Sequence, residues 1–421
     1  MKFVKKCLSN TYLNDVFKSL VGTFVFRAVS FIVSIYISKI VGASDYGIFS
    51  TIKSFSAVFS AVLCFGFHVT WISYLSSTNN TSRSKELFLN WSVFCVLLLS
   101  LTPLVFMYIY YESTSSDFVL NYWWIIFIYA LGFSLDRLAV AFLQGYRKYD
   151  IFLKLNIISA LVYVIVVSLS VKLFGFEIAL LVIAIILAFR FLIIYSKYVF
   201  KITGLHKIEL SLLVKSTSLN MVKKNSFIVF IGEIFYSITQ FVSIWILKTF
   251  SNYENVGTFA LCMLLSNILL FLVSSMSNVF FSHLALKDNI LKFFLKNLFL
   301  NLLLLGIPFI FLSLNMNLII DLLGLEYPFF ERTMFVILLS ILFQVIGVFS
   351  EKVLFHYDMI KLTQTLNTIR QILVVLFTML LLFYWRSDSV GAGVGFLIGT
   401  SLIATVKLFC SIRASLKYAL Q

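Results

Sequence analysis

Twelve long apolar runs, separated by short polar stretches, divide the chain at residues 18–41, 46–75, 87–110, 122–145, 151–173, 176–200, 225–249, 256–283, 293–314, 329–354, 362–385 and 389–412. Each is long enough, as a helix rising 1.5 Å per residue, to cross a hydrocarbon layer of about 30 Å. Within lipid a backbone must satisfy its own hydrogen bonds, which a helix does inside one segment. The pattern therefore predicts an all-α integral membrane protein with about twelve transmembrane helices.

Composition agrees. Of 421 residues, 61% are hydrophobic and 12% charged, against about 25% charged in a soluble domain. The chain has three prolines and no Gly- or Ser/Pro-rich linker, so no separate soluble domain is expected. The basic start, Met1–Lys6, is not followed by a short apolar stretch with a small-residue cleavage site. No cleaved signal peptide is expected, and insertion falls to the first helix. The cysteines Cys7, Cys64, Cys95, Cys262 and Cys410 form no CxxC pair. Neither disulfide nor metal use is expected of them; small buried residues fit better.

The basic residues fix a direction. With the N-terminus placed in the cytoplasm and span-edge residues counted with the nearer loop, 23 Lys and Arg fall on the inner side. Four fall outside: Lys172, Lys248, Arg332 and Arg386. This bias predicts that both termini are cytoplasmic. It also accounts for the net charge of +15, which faces anionic lipid head groups. A nucleic-acid partner is not needed.

The sequence resembles itself at half its length. Tyr46-Gly47-Ile48-Phe49 falls against Val256-Gly257-Thr258-Phe259 at an offset of 210. Leu143, Tyr146, Leu155 and Asn156 meet Leu354, Tyr357, Leu366 and Asn367 at 211. Six spans per half is an even number, so both halves start on the same side, giving two parallel six-helix halves around a central cavity. The expected organisation is 1–200 as the first half, 201–224 as a cytoplasmic linker and 225–421 as the second half. The linker sequence also permits a helix lying on the inner membrane surface.

Charges inside the apolar runs are costly there and usually face a wet cavity or a partner. They are Arg27, Lys53, Asp136, Arg137, Arg190, Glu233, Glu351 and Arg370, with Lys39 nearer the outer interface. Snorkelling accounts for Lys39 and, near the inner end, for Glu351. Arg27 lies roughly 13 Å deep and Asp136 at a similar depth, which allows them to pair; the other reading of Arg27 is a cationic cavity wall. Arg137 points about 100° away from Asp136 around the same helix. Glu233 has no evident partner nearby in sequence, and an Arg contact is its simplest alternative. His68 lies one turn after Cys64, but two ligands do not make a metal site, and an ordinary polar contact is expected of His68. Gly391–Gly395 with Gly399 fits close helix packing better than a nucleotide loop, because it opens an apolar span. There is no Walker sequence and no nucleophile-base-acid set, so no cofactor is expected.

The segment Lys39-Ile-Val-Gly-Ala-Ser-Asp-Tyr-Gly-Ile-Phe-Ser50 resembles the first helical hairpin of polysaccharide transporters. Gly66-Phe67 resembles the family's later glycine in helix 2, and Leu143–Tyr149 its element at the end of helix 4. The family is that of the Wzx-type lipid-linked oligosaccharide flippases, within the multidrug/oligosaccharidyl-lipid/polysaccharide exporter superfamily. Lys39 stands where arginine is commoner. The motif residues Gly42, Asp45, Tyr46 and Gly47 are structural: the glycines permit a tight turn, and Asp45 stays outside.

The resemblance implies a bacterial inner-membrane flippase or antiporter for undecaprenyl-diphosphate-linked oligosaccharide, such as an O-antigen repeat unit of lipopolysaccharide. It implies membrane lipids, a polysaccharide polymerase and a chain-length regulator as partners, and H+ or Na+ as the coupling ion. Under that reading Arg27, Lys53, Arg137, Arg190 and Arg370 are candidate contacts to substrate phosphates. Asp136 and Glu233 are candidate ion-coupling groups, with Glu233 expected to titrate and Asp136 to organise the basic residues. The alternatives are a multidrug or cation exporter of the same superfamily, which would favour carboxylates in the cavity, and a membrane polymerase or ligase, which would need larger outer loops.

Overall fold

The computed structural model describes residues 11–76, 82–114, 117–199, 217–284, 289–316, 320–321, 327–357 and 359–419. Among them every element is helical. Much of the linker at 201–224 lies outside the described residues, as do Ser115 and Ser216.

Thr11–Cys64 is one helical stretch broken at Gly42, whose φ of 78° requires glycine. It supplies α1 (residues 11–41) and α2 (residues 43–64). After a break at Phe65 and Gly66, both at positive φ, α3 (Phe67–Ser76) completes the second span. The third span is α4 (Ser82–Leu99) and α5 (Leu101–Thr114), and the fourth is α6 (Asp117–Gly145). Tyr149–Ile194 is broken at Gly175, φ 83°, into α7 (residues 149–174) and α8 (residues 176–194), followed by a π turn at Tyr195–Val199. Then come α9 (Thr217–Phe250), α10 (Tyr253–Leu284), α11 (Ile290–Leu314), α12 (Phe330–His356), α13 (Ile360–Tyr384) and α14 (Ser389–Ala419).

Among the described residues nine helices are long and apolar enough to cross a membrane. Two of these, Phe17–Cys64 and Tyr149–Lys197, are of double length and count twice once split at their glycines. That gives eleven of the expected twelve, and α10, which is not among the nine, stands at the place of the twelfth. The breaks at Phe65–Gly66 and Ser100 were not anticipated, although Pro103 lies three residues after Ser100 and cannot donate to the Leu99 carbonyl.

The chain packs as two compact units. The first comprises Met1–Ile40 with Ile52–Ser237, and the second Val41–Thr51 with Ile238–Gln421. The tip of the first hairpin thus packs with the second unit, and α9 contributes its first part to one unit and its last part to the other.

In the first unit α6 lies against α3 and against the α7–α8 pair. Gly132 lets α6 approach closely: a methyl group there would meet the Ala184 backbone at 2.5 Å. The turn after α6 closes by a bond from the Lys148 N–H to the Leu143 carbonyl, 2.8 Å, with Arg147 left-handed between them. Leu161, Leu169, Leu173 and Phe174 of α7 stay exposed, as lipid-facing residues do.

In the second unit α14 packs along α12 and α13. Gly395 and Gly399 set the second contact. A Cβ on Gly395 would lie 2.5 Å from Thr378, and one on Gly399 would lie 2.7 Å from Val374. The close-packing reading of these glycines holds. The turn after α12 closes by the same bond as its counterpart after α6, from the Met359 N–H to the Leu354 carbonyl, 2.9 Å. Leu143 and Leu354 are the pair matched at offset 211 in sequence, so the repeat extends to backbone geometry. At the hairpin tip, a methyl on Gly47 would overlap the Tyr253 carbonyl oxygen, and one on Gly257 the Ala43 carbonyl oxygen. Gly42 is therefore the turn glycine, whereas Gly47 serves close backbone approach, a correction to its expected role. Tyr46 is buried against Phe49 and edge-on to Tyr327, and Asp45 is exposed.

Candidate functional site

The break at Phe65–Gly66 aims α3 at α9. A Cβ on Gly66 would overlap the Ser226 carbonyl, so α9 comes to backbone contact there. Thr70 Oγ1 and Ser226 Oγ are 2.9 Å apart. Phe65 stacks on Phe230 with centroids 4.7 Å apart. Residues 226, 230 and 233 share one face of α9, so this docking carries Glu233 inward. Arg137 NH2 donates to Glu233 Oε1 at 2.8 Å. His68 Nε2 lies 2.8 Å from the same oxygen and 3.0 Å from Arg137 NH2. All three are partly buried. Cys64 is near enough to feel both Arg137 and Glu233, and its thiol donates to the Ser134 carbonyl at 3.6 Å.

On the other side of α6, Asp136 faces α8. Arg190 Nε stands 3.1 Å from Asp136 Oδ1, and Arg190 NH2 donates to Asn156 Oδ1 at 2.7 Å. The guanidinium lies 4.5 Å over the Phe26 ring. Arg190 is 4% exposed, so this ion pair belongs to the packed interior. The neighbours Asp136 and Arg137 thus serve two sites on opposite faces, as their 100° separation requires.

The second unit holds a parallel arrangement. Lys407 Nζ, on α14, donates to Glu351 Oε2 on α12 at 2.7 Å and to Asn367 Oδ1 on α13 at 2.6 Å. Its side chain is 4% exposed. In each unit a base on the last helix of the half is held by an acid two helices earlier and an asparagine between them. Asn156 and Asn367 are the repeat pair found in sequence. Two readings are corrected here. Lys407, one of the 23 basic residues counted on the inner side, is a buried partner within α14, and Glu351 is paired rather than snorkelling.

The expected site residues fall into groups. Arg137 and Glu233 meet, so Glu233 does have a cationic partner. Asp136 and Arg190 meet, where Arg27 had been a candidate partner of Asp136. Arg27 is exposed on α1 and Lys53 half-buried on α2, both within the first unit. Arg370 lies on α13 within electrostatic range of Lys407. Sequence reasoning missed His68, whose only signal was its spacing from Cys64. It also missed Asn156 and Asn367 as ligands, although the repeat had marked both.

Residues 12–281 match the family described as polysaccharide biosynthesis protein. The chain belongs to that family. The resemblance read from residues 39–50 and 143–149 is borne out. Among curated proteins none matches the sequence significantly. Solved structures do match in fold. A multidrug resistance MATE family transporter of the MOP superfamily, inward-facing, superposes with a TM-score of 0.73 at 12% identity, covering 96% of this chain and 99% of that one. The lipid II flippase MurJ, in an inward closed conformation, gives 0.69 at 15% identity, covering 96% and 90%. A MOP superfamily transporter from Pyrococcus furiosus gives 0.64 at 13% identity, covering 99% and 98%. The fold is that of all-helical transporters, and the protein is a multi-pass membrane protein.

Proposed function

We propose that the protein is a flippase rather than an enzyme, moving undecaprenyl-diphosphate-linked oligosaccharide from the inner to the outer leaflet of the bacterial inner membrane. Membership of the polysaccharide biosynthesis family carries this reading. Likeness in fold to a lipid II flippase supports a lipid-linked substrate. The excess of Lys and Arg over Asp and Glu within the spans suits a diphosphate, which needs fixed positive charge once removed from water. A cation exporter would need available acids, and Asp136, Glu233 and Glu351 each have a basic partner.

Both termini are cytoplasmic in this reading, and the two six-helix halves, 1–200 and 225–421, alternate access to a central cavity. Arg27 and Lys53 contact the diphosphate. Arg137 joins them when it leaves Glu233, and Arg370 is the contribution of the second half. Arg190 and Asp136 hold one another and organise α6 against α8. Coupling to an ion gradient runs through Glu233.

The test is complementation of a flippase-deficient strain. Neutral substitutions at Arg27 or Lys53 are expected to abolish it at unchanged protein level, with lipid-linked repeat units accumulating inside. Full activity of Arg27→Ala removes that residue from the site, and partial activity of Arg27→Lys favours charge over bidentate geometry. In proteoliposomes the wild type is expected to respond to an imposed pH or sodium gradient and Glu233→Gln is not. A variant that responds like wild type overturns the assignment of Glu233.

A further inference from the structure

Two donors in the first unit converge on one oxygen. Arg137 NH2, on α6, donates to Glu233 Oε1 at 2.8 Å. His68 Nε2, on α3, lies 2.8 Å from the same atom. A ring protonated at Nε2 makes this contact whether it is neutral or doubly protonated, so the arrangement does not depend on a charge change at His68. The 3.0 Å between His68 Nε2 and Arg137 NH2 is then the separation of two donors that share an acceptor. The Phe133 ring, one turn before Arg137 on α6, lies 5.8 Å from the guanidinium.

Glu233 fills this seat incompletely. Among the described residues, Arg137 reaches the carboxylate through NH2 alone, without the two-nitrogen fork that a guanidinium offers a matched anion. The second carboxylate oxygen, Oε2, is buried with no hydrogen-bond partner among the described residues. An acceptor left bare in this way weakens the hold of the seat on the carboxylate. The seat is also within reach of solvent. The side chains of Arg137 and Glu233 are 26% and 22% exposed, whereas Arg190, paired on the other face of α6, is sealed at 4%.

A phosphate oxygen asks for what Glu233 Oε1 receives here. A diphosphate offers several such oxygens and more charge than a carboxylate, so it can take the Arg137 fork and the His68 N–H together. Exchange of one anion for another also spares the empty protein a cost. A base within a span and without a counter-charge is strongly unfavourable. With Glu233 seated whenever substrate is absent, Arg137 is never left bare.

We propose that Arg137 and His68 form a phosphate-oxygen seat and that Glu233 is its internal occupant, displaced by the diphosphate of the substrate on loading and returning to expel it on release. The proposal rests on the lipid-diphosphate substrate given above. It adds His68 as an N–H donor to that substrate.

The test is binding of farnesyl diphosphate to the full chain in phosphatidylcholine nanodiscs, measured by isothermal titration calorimetry. Glu233→Gln, which removes the competing charge, is expected to tighten binding by about tenfold, the weight of one charge-assisted hydrogen bond. Glu233→Asp keeps the charge but falls one methylene short of the donors, and it is expected to tighten binding as well. Arg137→Gln and His68→Phe are each expected to weaken binding by about tenfold, and His68→Gln, which keeps an N–H, by less. Where Arg137→Gln does not fold because Glu233 is left unpaired, Arg137→Gln/Glu233→Gln takes its place and is compared with Glu233→Gln. A Glu233→Asp protein that binds like wild type while Glu233→Gln binds tighter means repulsion from a distance and overturns the proposal. So does a His68→Phe protein that binds like wild type. In both outcomes wild type still binds the diphosphate, so the substrate reading stands. If wild type binds no diphosphate, the substrate reading falls and the proposal with it. Phosphatidylglycerol added to the nanodiscs is expected to leave the order of affinities unchanged. If it abolishes wild-type binding, the seat takes ordinary lipid head groups, and the proposal is overturned.

Discussion

Removing either member of the Asp136–Arg190 pair should have unequal costs, and the inequality tests the account of the α6–α8 packing. Asp136→Leu leaves Arg190 buried at 4% exposure and still charged, since a guanidinium does not lose its proton. Among the described residues, Asn156 and the Phe26 ring remain to hold it. Breaking such a pair costs about 3–5 kcal/mol. At roughly 2–4 °C per kcal/mol, the unfolding midpoint should fall by on the order of 10 °C. Arg190→Met leaves a carboxyl that can neutralise itself by taking up a proton, so its loss should be smaller, about 1–3 kcal/mol. The double variant, with apolar groups on both sides, should lie within about 2 kcal/mol of wild type. Thermal unfolding of the full chain in nanodiscs, followed by tryptophan fluorescence, measures all three. A double variant that loses the sum of the two single losses would falsify the pair as an energetic unit.

In the second unit, Lys407→Met should destabilise by less than Asp136→Leu in the same assay, because the orphaned Glu351 is 24% exposed and can reach water; an equal or larger loss would contradict that burial. Gly399→Leu should force α13 from α14 and cost about 1–3 kcal/mol or more, whereas Gly306→Ala, which meets nothing within 4 Å, should be neutral or stabilising by about 1 kcal/mol; a harmless Gly399→Leu would mean the two helices are not in backbone contact. For topology, Ser115→Cys should react with an impermeant maleimide from outside the cell and Ser216→Cys only after the inner face is opened; the reverse pattern would invert the proposed direction of transport.

The spans were legible because lipid imposes a one-dimensional rule: about 20 apolar residues in a row. The breaks at Gly42 and Gly175 were also within reach, since polar or glycine-containing gaps bracket them. The break at Phe65–Gly66 was not, because its cause is non-local: α9 lies against Gly66 through the Ser226 carbonyl. The ionisable residues of the site were legible as a list but not as partners. Glu233 lies 96 residues from Arg137, and nothing in the intervening chain encodes that contact. Asn156 and Asn367 were visible as a repeat, yet their role depended on Arg190 and Lys407, which do not share one offset.

By itself the sequence determined the membrane class, the pattern of spans, the one-sided bias of basic charge, the repeat and the family motif. These are properties of composition and of spacing along one chain, and the energy of transfer into lipid reads them segment by segment. Tertiary structure alone decided which acid faces which base, that Gly47 is needed for contact and not for a turn, and that His68 shares one oxygen with Arg137. Those outcomes depend on how helices rotate and cross. In lipid, that is set by close packing and by satisfying buried polar groups rather than by apolarity, which every helix shares.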